Sequence, residues 1–167
     1  TEPRAATEIL AINYLRSKGI PCLPGKAVSH AHVDVVAFGC IRIEVKWARL
    51  DFHRSSSGFK FSTTPSQVRD GYRGDVVMLI CDYGDGRTTY HLFPANHPVF
   101  YMDGRLKHGF TFVPGLKEAT RHGHNRVVMT QPLMDEYMDN TNILWQLLYQ
   151  RSTCLLYTSD AADDLLC

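Results

Sequence analysis

Residues 33–47 spell VDVVAFGCIRIEVKW, in which apolar and polar side chains alternate on both sides of a Phe-Gly-Cys triplet. A period of two is typical of β-strands with one buried face, and glycine suits the tight turn of a hairpin. Pairing Val35 with Ile43 and Ala37 with Ile41 gives a wholly apolar face. A shift of one residue would mix apolar and charged side chains on both faces. The pattern therefore predicts a β-hairpin in this register.

The opposite face of the predicted hairpin carries charge. In the same register Asp34 lies directly across from Glu44, and Lys46 projects from that face two residues later. Directly opposed residues are roughly 5 Å apart at Cβ, and two carboxylates at that distance repel by about 3 kcal/mol at an effective dielectric of about 20. Lys46 offsets part of this repulsion, and a divalent cation would offset more. We therefore predict a cation site here; the alternative is that both acids simply point into water.

The composition is that of a soluble globular chain with one domain. The chain has 167 residues, of which 44% are hydrophobic and 21% are charged, and this length suits a single core. It contains no apolar run long enough to span a membrane. The five cysteines show no CxxC pair and no secretory signal is visible, which favours free thiols and a cytoplasmic location.

The last residues of the chain stand apart from the rest. The segment 153–167 ends in CLLYTSDAADDLLC, which resembles the translated read-through of a sequencing adapter. We therefore predict that residues 1–152 form the single domain and that 153–167 are not native. The alternative is a genuine acidic tail.

The other predicted elements follow in the order helix, strand, hairpin, helix, strand, strand. A stripe of Ile9, Ile12 and Leu15 predicts the first helix, with a stop at Gly19. The further predicted elements are a short strand at 20–23, a helix from Pro65 to Tyr72, a buried strand at 75–83, a returning strand at 87–93, a weak strand at 110–113 and one amphipathic helix at 132–150. This order predicts an α/β domain with a mixed β-sheet flanked by helices.

The D-x(9)-ExK spacing and the order of elements resemble those of the PD-(D/E)XK nuclease superfamily. The resemblance covers roughly Thr7 to Pro94, and its most typical parts are EVKWA, GDVVMLICDY and TYHLFP. One departure is Val33, which stands where the motif has proline. The resemblance implies a restriction endonuclease-like core, and residues 1–152 would then be a single nuclease-like domain.

The resemblance also implies a cofactor and its ligands. In that superfamily the residues matching Asp34 and Glu44 bind catalytic Mg²⁺, which Mn²⁺ can replace. The carbonyl of Val45 would complete the protein ligands. Hard oxygen donors of this kind suit Mg²⁺.

Further roles carry over from the same resemblance. The residue matching Lys46 positions or activates the attacking water, an acid on the first helix matches Glu8, and a glutamine after the lysine strand matches Gln67. The implied function is a Mg²⁺-dependent DNA endonuclease that hydrolyses phosphodiester bonds.

The implied partner is DNA. Lys60, Arg69 and Arg73 flank the proposed site in sequence and are candidates for phosphate contacts; the alternative is an ordinary solvated face. Because cutting both strands usually takes two active sites, a homodimer or higher homo-oligomer is possible.

Two other functions stay open. His30, His32 and Asp34 alternate as in the HxHxDH motif of zinc-dependent metallo-β-lactamase-like hydrolases, although the final histidine is missing. Zinc hydrolases need three protein ligands and an open position, and the candidates for a distant ligand are His53, His122 and His124. The remaining alternative is a non-catalytic nucleic-acid-binding domain on the same fold.

Overall fold

The computed structural model describes residues 4–30, 32–50, 58–118 and 126–157. The histidines at 53, 122 and 124, proposed above as distant zinc ligands, lie outside these residues, as does most of the segment 153–167. No helix in the described part of the chain is long and apolar enough to cross a membrane.

A five-stranded sheet forms the centre of the fold, with strands in the order β1-β2-β3-β5-β6. Its strands are β1 (Cys22–Pro24), β2 (Val35–Ala37), β3 (Ile41–Arg49), β5 (Val76–Asp82) and β6 (Thr88–Pro94). β3 and β5 are parallel, whereas the other neighbouring pairs are antiparallel. The predicted mixed sheet is confirmed, and so are the buried strand and the returning strand.

The β2–β3 hairpin has the predicted register. Val35 pairs with Ile43 and Ala37 pairs with Ile41. The three-residue turn between them places Gly39 at φ 73°, a conformation that glycine adopts without steric cost. The ladder begins only at Val35, so the residue before it is not part of a strand.

A second sheet packs over one face of the first. Its order is β10-β9-β4, built from β4 (Phe59–Ser62), β9 (Gly109–Phe112) and β10 (Arg126–Met129). β4 and β9 are antiparallel, and β9 and β10 are parallel. The weak strand signal near 110–113 corresponds to β9, whereas β10 was not predicted. A two-stranded hairpin joins β7 (Tyr101–Met102) to β8 (Arg105–Leu106).

The two faces of the central sheet bury separate cores. On β3, Ile41, Ile43 and Val45 face the core under the first and last helices. Ala48 faces the other core, where phenylalanines of the second sheet, Phe59 among them, are fully buried. Both faces of the central sheet are therefore covered by buried apolar residues.

The first helix, α1 (Arg4–Ser17), ends slightly earlier than its glycine stop. Gly19 follows at φ 77°. Ile12 and Leu15 are buried as predicted, but Ile9 is 57% exposed. The stripe prediction was wrong for Ile9 because this helix covers the sheet along a narrow face.

The second helix, α2 (Pro65–Asp70), is shorter than predicted. Thr64 and Gln67 form a capping box at its start, in which each side chain bonds the backbone amide of the other residue. Gly71 ends the helix at φ 79°, so Tyr72 lies in the following loop and not on the helix.

The single helix predicted at 132–150 is wrong. The structure has two helices instead, α3 (Gln131–Glu136) and α4 (Asn142–Tyr157). Between them Met138 bridges to His91, and Asp139 adopts φ 52°. The Asp139 amide donates to the carbonyl of Tyr90, and its carboxylate accepts a 2.7 Å hydrogen bond from Tyr14. These tertiary bonds hold the break against the local helical preference.

Two cysteines are free thiols as expected, namely Cys22 and Cys81. The free-thiol expectation is wrong for Cys40, which is disulfide-bonded.

A half-buried ion pair ties the last helix to the hairpin and to β5. Arg151 on α4 contacts the Asp75 carboxylate at 2.8 Å and donates to the carbonyl of Cys40 at 2.7 Å. The backbone amide of Arg42 donates to the same carboxylate at 2.9 Å. Burial alone would raise the pKa of Asp75, but these partners outweigh it and hold that pKa below the usual value.

We predict that Asp75→Asn lowers the free energy of unfolding by about 1–3 kcal/mol at neutral pH, because the bond to Arg151 loses its charge. A carboxyl whose pKa is depressed in the folded state stabilises the fold above its unfolded-state pKa, and this contribution disappears as the pH falls through the folded-state pKa. Urea unfolding at neutral and acidic pH should therefore show a flatter acid dependence for the variant. Asp70→Asn, an exposed control, should change little; an equal loss in both variants would contradict the prediction.

Candidate metal and nucleic-acid site

The loop before β2 fixes the position of Asp34. Gly25 begins a 3₁₀ turn, and its backbone amide donates to the Asp34 carbonyl at 3.0 Å. A Cβ atom at Gly25 would lie 2.1 Å from the carbonyl oxygen of Val33 and 2.5 Å from that of His30. The loop can therefore close in this way only around a glycine.

Asp34 differs from its predicted place in a strand across from Glu44. It lies one residue before β2, and its Oδ2 accepts a 2.8 Å hydrogen bond from the backbone amide of Val45. The carboxylate thus takes the place of a strand partner at this point of β3. It still lies beside the segment that carries Glu44 and Lys46.

Glu44 is an almost fully buried acid on β3, with 6% of its surface exposed. The amide Nε2 of Gln67 lies 3.5 Å from its Oε2. A Cβ atom at Gly74 would lie 3.1 Å from the Cγ of Glu44. The glutamate is therefore held between the glycine backbone on one side and the α2 glutamine on the other.

Lys46 is held by the second sheet and by α2. Its Nζ donates to the carbonyl of Ser62 at 2.7 Å and to Oε1 of Gln67 at 3.2 Å. Burial lowers the pKa of Lys46, and the charges of Glu44 and Asp34 oppose that shift. The charges of both carboxylates thus act on the Lys46 ammonium, as we predicted from the sequence of the hairpin.

These side chains open into one cleft of about 600 Å³. Asp34, Glu44, Lys46 and Gln67 all line it, together with Val45. The structure therefore brings together the main predicted site residues.

The outlying predicted residues divide between the cleft and its surroundings. Lys60 and Arg73 line the cleft. Arg69 is not among its lining residues and pairs at 3.2 Å with the neighbouring Asp70. Glu8 is buried on α1, and its neighbour Thr7 lines the cleft in its place. The helical period alone could not decide which of the two faces the site.

Tyr72 is a residue of the site that the sequence did not single out. Its ring centroid lies 5.8 Å from Nζ of Lys46. Burial, followed by the charges of Glu44 and Tyr101, raises its pKa. No signal in the sequence placed this tyrosine beside the lysine.

The donor atoms in the cleft suit a hard cation. Asp34 and Glu44 offer carboxylate oxygens, and the carbonyl of Val45 lies on the same edge of β3 as its amide, which bonds Asp34. Mg²⁺ takes one or two carboxylates and keeps several waters. Nowhere in residues 4–30, 32–50, 58–118 and 126–157 do three or more His, Cys, Asp or Glu side chains form a group fit for a metal ion. The two carboxylates and the Val45 carbonyl therefore fit Mg²⁺ or Mn²⁺ better than a metal that needs three protein side chains.

In the described part of the chain, the candidate zinc ligands do not come together as a zinc site. His30 and His32 are both exposed, and neither belongs to a metal-binding group with Asp34 there.

The fold is a mixed β-sheet flanked by helices, and its central strand β3 carries a glutamate and a lysine into the open cleft. A solved structure described as a bacterial homing endonuclease, I-Ssp6803I, has this fold, with a TM-score of 0.54 and 15% sequence identity. The match covers 89% of this chain and 94% of the endonuclease chain. At this identity the likeness shows the fold alone. No family model matches the chain, and no curated protein does so.

Proposed function

We propose that the protein is a metal-dependent DNA endonuclease that hydrolyses phosphodiester bonds at the cleft. The observation that carries the proposal is the hydrogen-bonded chain from Lys46 through Gln67 to Glu44, in a cleft that Asp34 also lines. A nuclease-like architecture alone fits many functions. An ammonium held beside two acids in an open cleft is much more specific.

The metal ligands in this proposal are Asp34, Glu44 and the carbonyl of Val45. A bound Mg²⁺ or Mn²⁺ would polarise a phosphate oxygen and lower the pKa of a bound water. The chain prepares the site by fixing both carboxylates: the Val45 amide orients Asp34, and Gln67 orients Glu44. Fixed ligands lose little freedom when an ion binds.

Lys46 is the residue that acts on the phosphodiester. An ammonium has three N–H donors, and two of them bond Ser62 and Gln67. The remaining donor can orient a water or stabilise negative charge that develops on the phosphate.

DNA is the proposed substrate for two reasons. The neighbour in fold is named a homing endonuclease, and the cleft carries Lys60 and Arg73 beyond its acids. Cations on the wall of the cleft can hold phosphates that flank the scissile bond. Arg69 is exposed and pairs with Asp70; in this proposal it contacts a DNA phosphate outside the cleft once that ion pair opens.

Plasmid cleavage tests the proposal most directly. With Mg²⁺ or Mn²⁺ the wild type should cut plasmid DNA, and Lys46→Ala should cut about 10²–10³-fold more slowly because one charge-stabilising donor is lost. DNA affinity, measured by gel shift without metal, should change little. The ratio of nicked to linear product reports whether one or both strands are cut, and hence whether two active sites act together.

Lys18→Ala is a suitable control, since Lys18 is an exposed lysine at the end of α1. It should cut at the wild-type rate. Binding without cleavage by the wild type, with either metal and with branched and linear DNA, would favour the non-catalytic binding domain. Activity only with zinc would favour the histidine site.

A further inference from the structure

Tyr72 presents an unusual combination of burial and polarity. Among the described residues its hydroxyl is the only buried side-chain polar atom without a hydrogen-bond partner. A buried polar group without a partner is costly and calls for an explanation. The ring itself packs edge-on against Phe100, with centroids 5.8 Å apart, and lies at 6.5 Å from Phe110.

The same ring also lies close to Lys46 in the proposed site. The ammonium of Lys46 lies 5.8 Å from the ring centroid, within the range in which a cation is attracted to an aromatic face. Ser62 belongs to the second sheet and Gln67 to α2, and these two residues accept the hydrogen bonds of the same ammonium. Three groups from three segments of the chain therefore surround one nitrogen.

We propose, on the basis of the proposed function, that Tyr72 is a positioning residue for Lys46. Its ring confines the ammonium against Ser62 and Gln67 and leaves the third N–H directed to an anionic substrate. A lysine side chain has high rotamer freedom, and the attraction of its ammonium to the ring limits that freedom. The ring does so without accepting a third conventional hydrogen bond, so one N–H stays available.

The placement of Tyr72 in the chain supports this role. It follows Gly71, whose φ of 79° ends α2, and precedes Gly74, which packs against Glu44. The same short loop thus contacts Lys46 through Tyr72 and Glu44 through Gly74. The packing against Phe100 and Phe110 anchors the ring from behind.

NMR of the protein labelled with ¹³C-lysine tests the contact without any need for activity. A lysine methylene next to an aromatic face should show an upfield ring-current shift. The shifted signal should be present in the wild type and in Tyr72→Phe, and absent in Lys46→Met and in Tyr72→Leu. Lys18 also lies over a ring, that of Tyr14, so the Lys46 signal is identified by its loss in Lys46→Met. A wild-type spectrum without a shifted Lys46 signal, or a Lys46 signal that stays shifted in Tyr72→Leu, would overturn the proposal.

Kinetics test the consequence. Tyr72→Leu should lower kcat for Mg²⁺-dependent plasmid cleavage by roughly tenfold to a hundredfold with KM nearly unchanged, because the lysine is misplaced and DNA binding is not. Tyr72→Phe should restore most of that loss. Phe112→Leu is the packing control, since Phe112 is fully buried in the same core but stacks on Phe59 and not on Tyr72; it should lower the melting temperature and leave kcat unchanged.

The outcomes separate the two proposals. An equal loss of kcat in Phe112→Leu and Tyr72→Leu would overturn the positioning role, since loss of packing would then explain both. A wild type that shows the ring-current signal but cleaves no DNA would refute the endonuclease and still support the Tyr72–Lys46 contact.

Discussion

Glu44→Gln is expected to lose on the order of 10³-fold in the rate of Mg²⁺-dependent DNA cleavage, and at the same time to become more stable in the absence of metal. The loss follows because a Lewis-acid metal contributes several kcal/mol to catalysis, and Glu44 is one of only two proposed carboxylate ligands. The gain follows because Glu44 is buried near a second carboxylate. A neutral amide removes both their repulsion and the cost of burying a charge.

The stability of Glu44→Gln is measured by urea unfolding in a chelating buffer, where a gain of about 1–3 kcal/mol over the wild type is expected. Titration with Mg²⁺ should then raise the stability of the wild type as the ion binds the folded state, and should leave the variant unchanged. The opposite signs of the two effects are the signature of a functional acid. A variant that is destabilised, and that still gains stability with Mg²⁺, would show that Glu44 is a structural group.

The second large effect is expected from Gly25→Ala. A Cβ atom at this position would lie far inside contact distance of two backbone oxygens, those of Val33 and His30. Backbone atoms cannot move aside as a flexible side chain can, so the loop must open. Overpacking of this kind costs about 1–3 kcal/mol, and here it also displaces Asp34, whose carbonyl bonds the Gly25 amide. We expect both a lower melting temperature and a cleavage rate reduced by about 10²-fold, since a misplacement of about 1 Å can cost that much.

Gly39→Ala provides the matched control for Gly25→Ala. Gly39 lies in the neighbouring hairpin turn at φ 73°, and an added Cβ there meets no atom within 4 Å. It should lose about 1–2 kcal/mol from backbone strain alone and keep its cleavage rate. Equal rates for the two variants at a temperature where both are folded would mean that the Gly25 loop does not position Asp34.

The sequence predicted the central part of the fold because that part is governed by local alternation. The pairing of Val35 with Ile43 follows from placing apolar residues on one face, and it is confirmed. The same pattern carried Glu44 and Lys46 into one cleft. It failed for Asp34, which bonds the amide of Val45 and is not part of the strand, because hydrophobic alternation does not indicate where a ladder stops.

The remaining errors come from long-range contacts. The break between α3 and α4 depends on bonds from Asp139 to Tyr14 and Tyr90, which are remote in sequence. The strands β9 and β10 pair in parallel, so no hairpin turn joins them and the sequence carries no local signal of the pairing. Tyr72 reaches Lys46 only because the β3–β5 crossover brings the loop after α2 back over β3.

Among the described residues, those that line the cleft lie between Thr7 and Arg73. The strands and helices after Arg73 supply most of the second sheet and the outer cover of the core, and none of their described residues lines the cleft. The described residues that line the cleft therefore come from the first part of the chain, and much of the packing that supports them comes from the second part. A change in the length of a loop after β5 should therefore leave the groups that line the cleft in place.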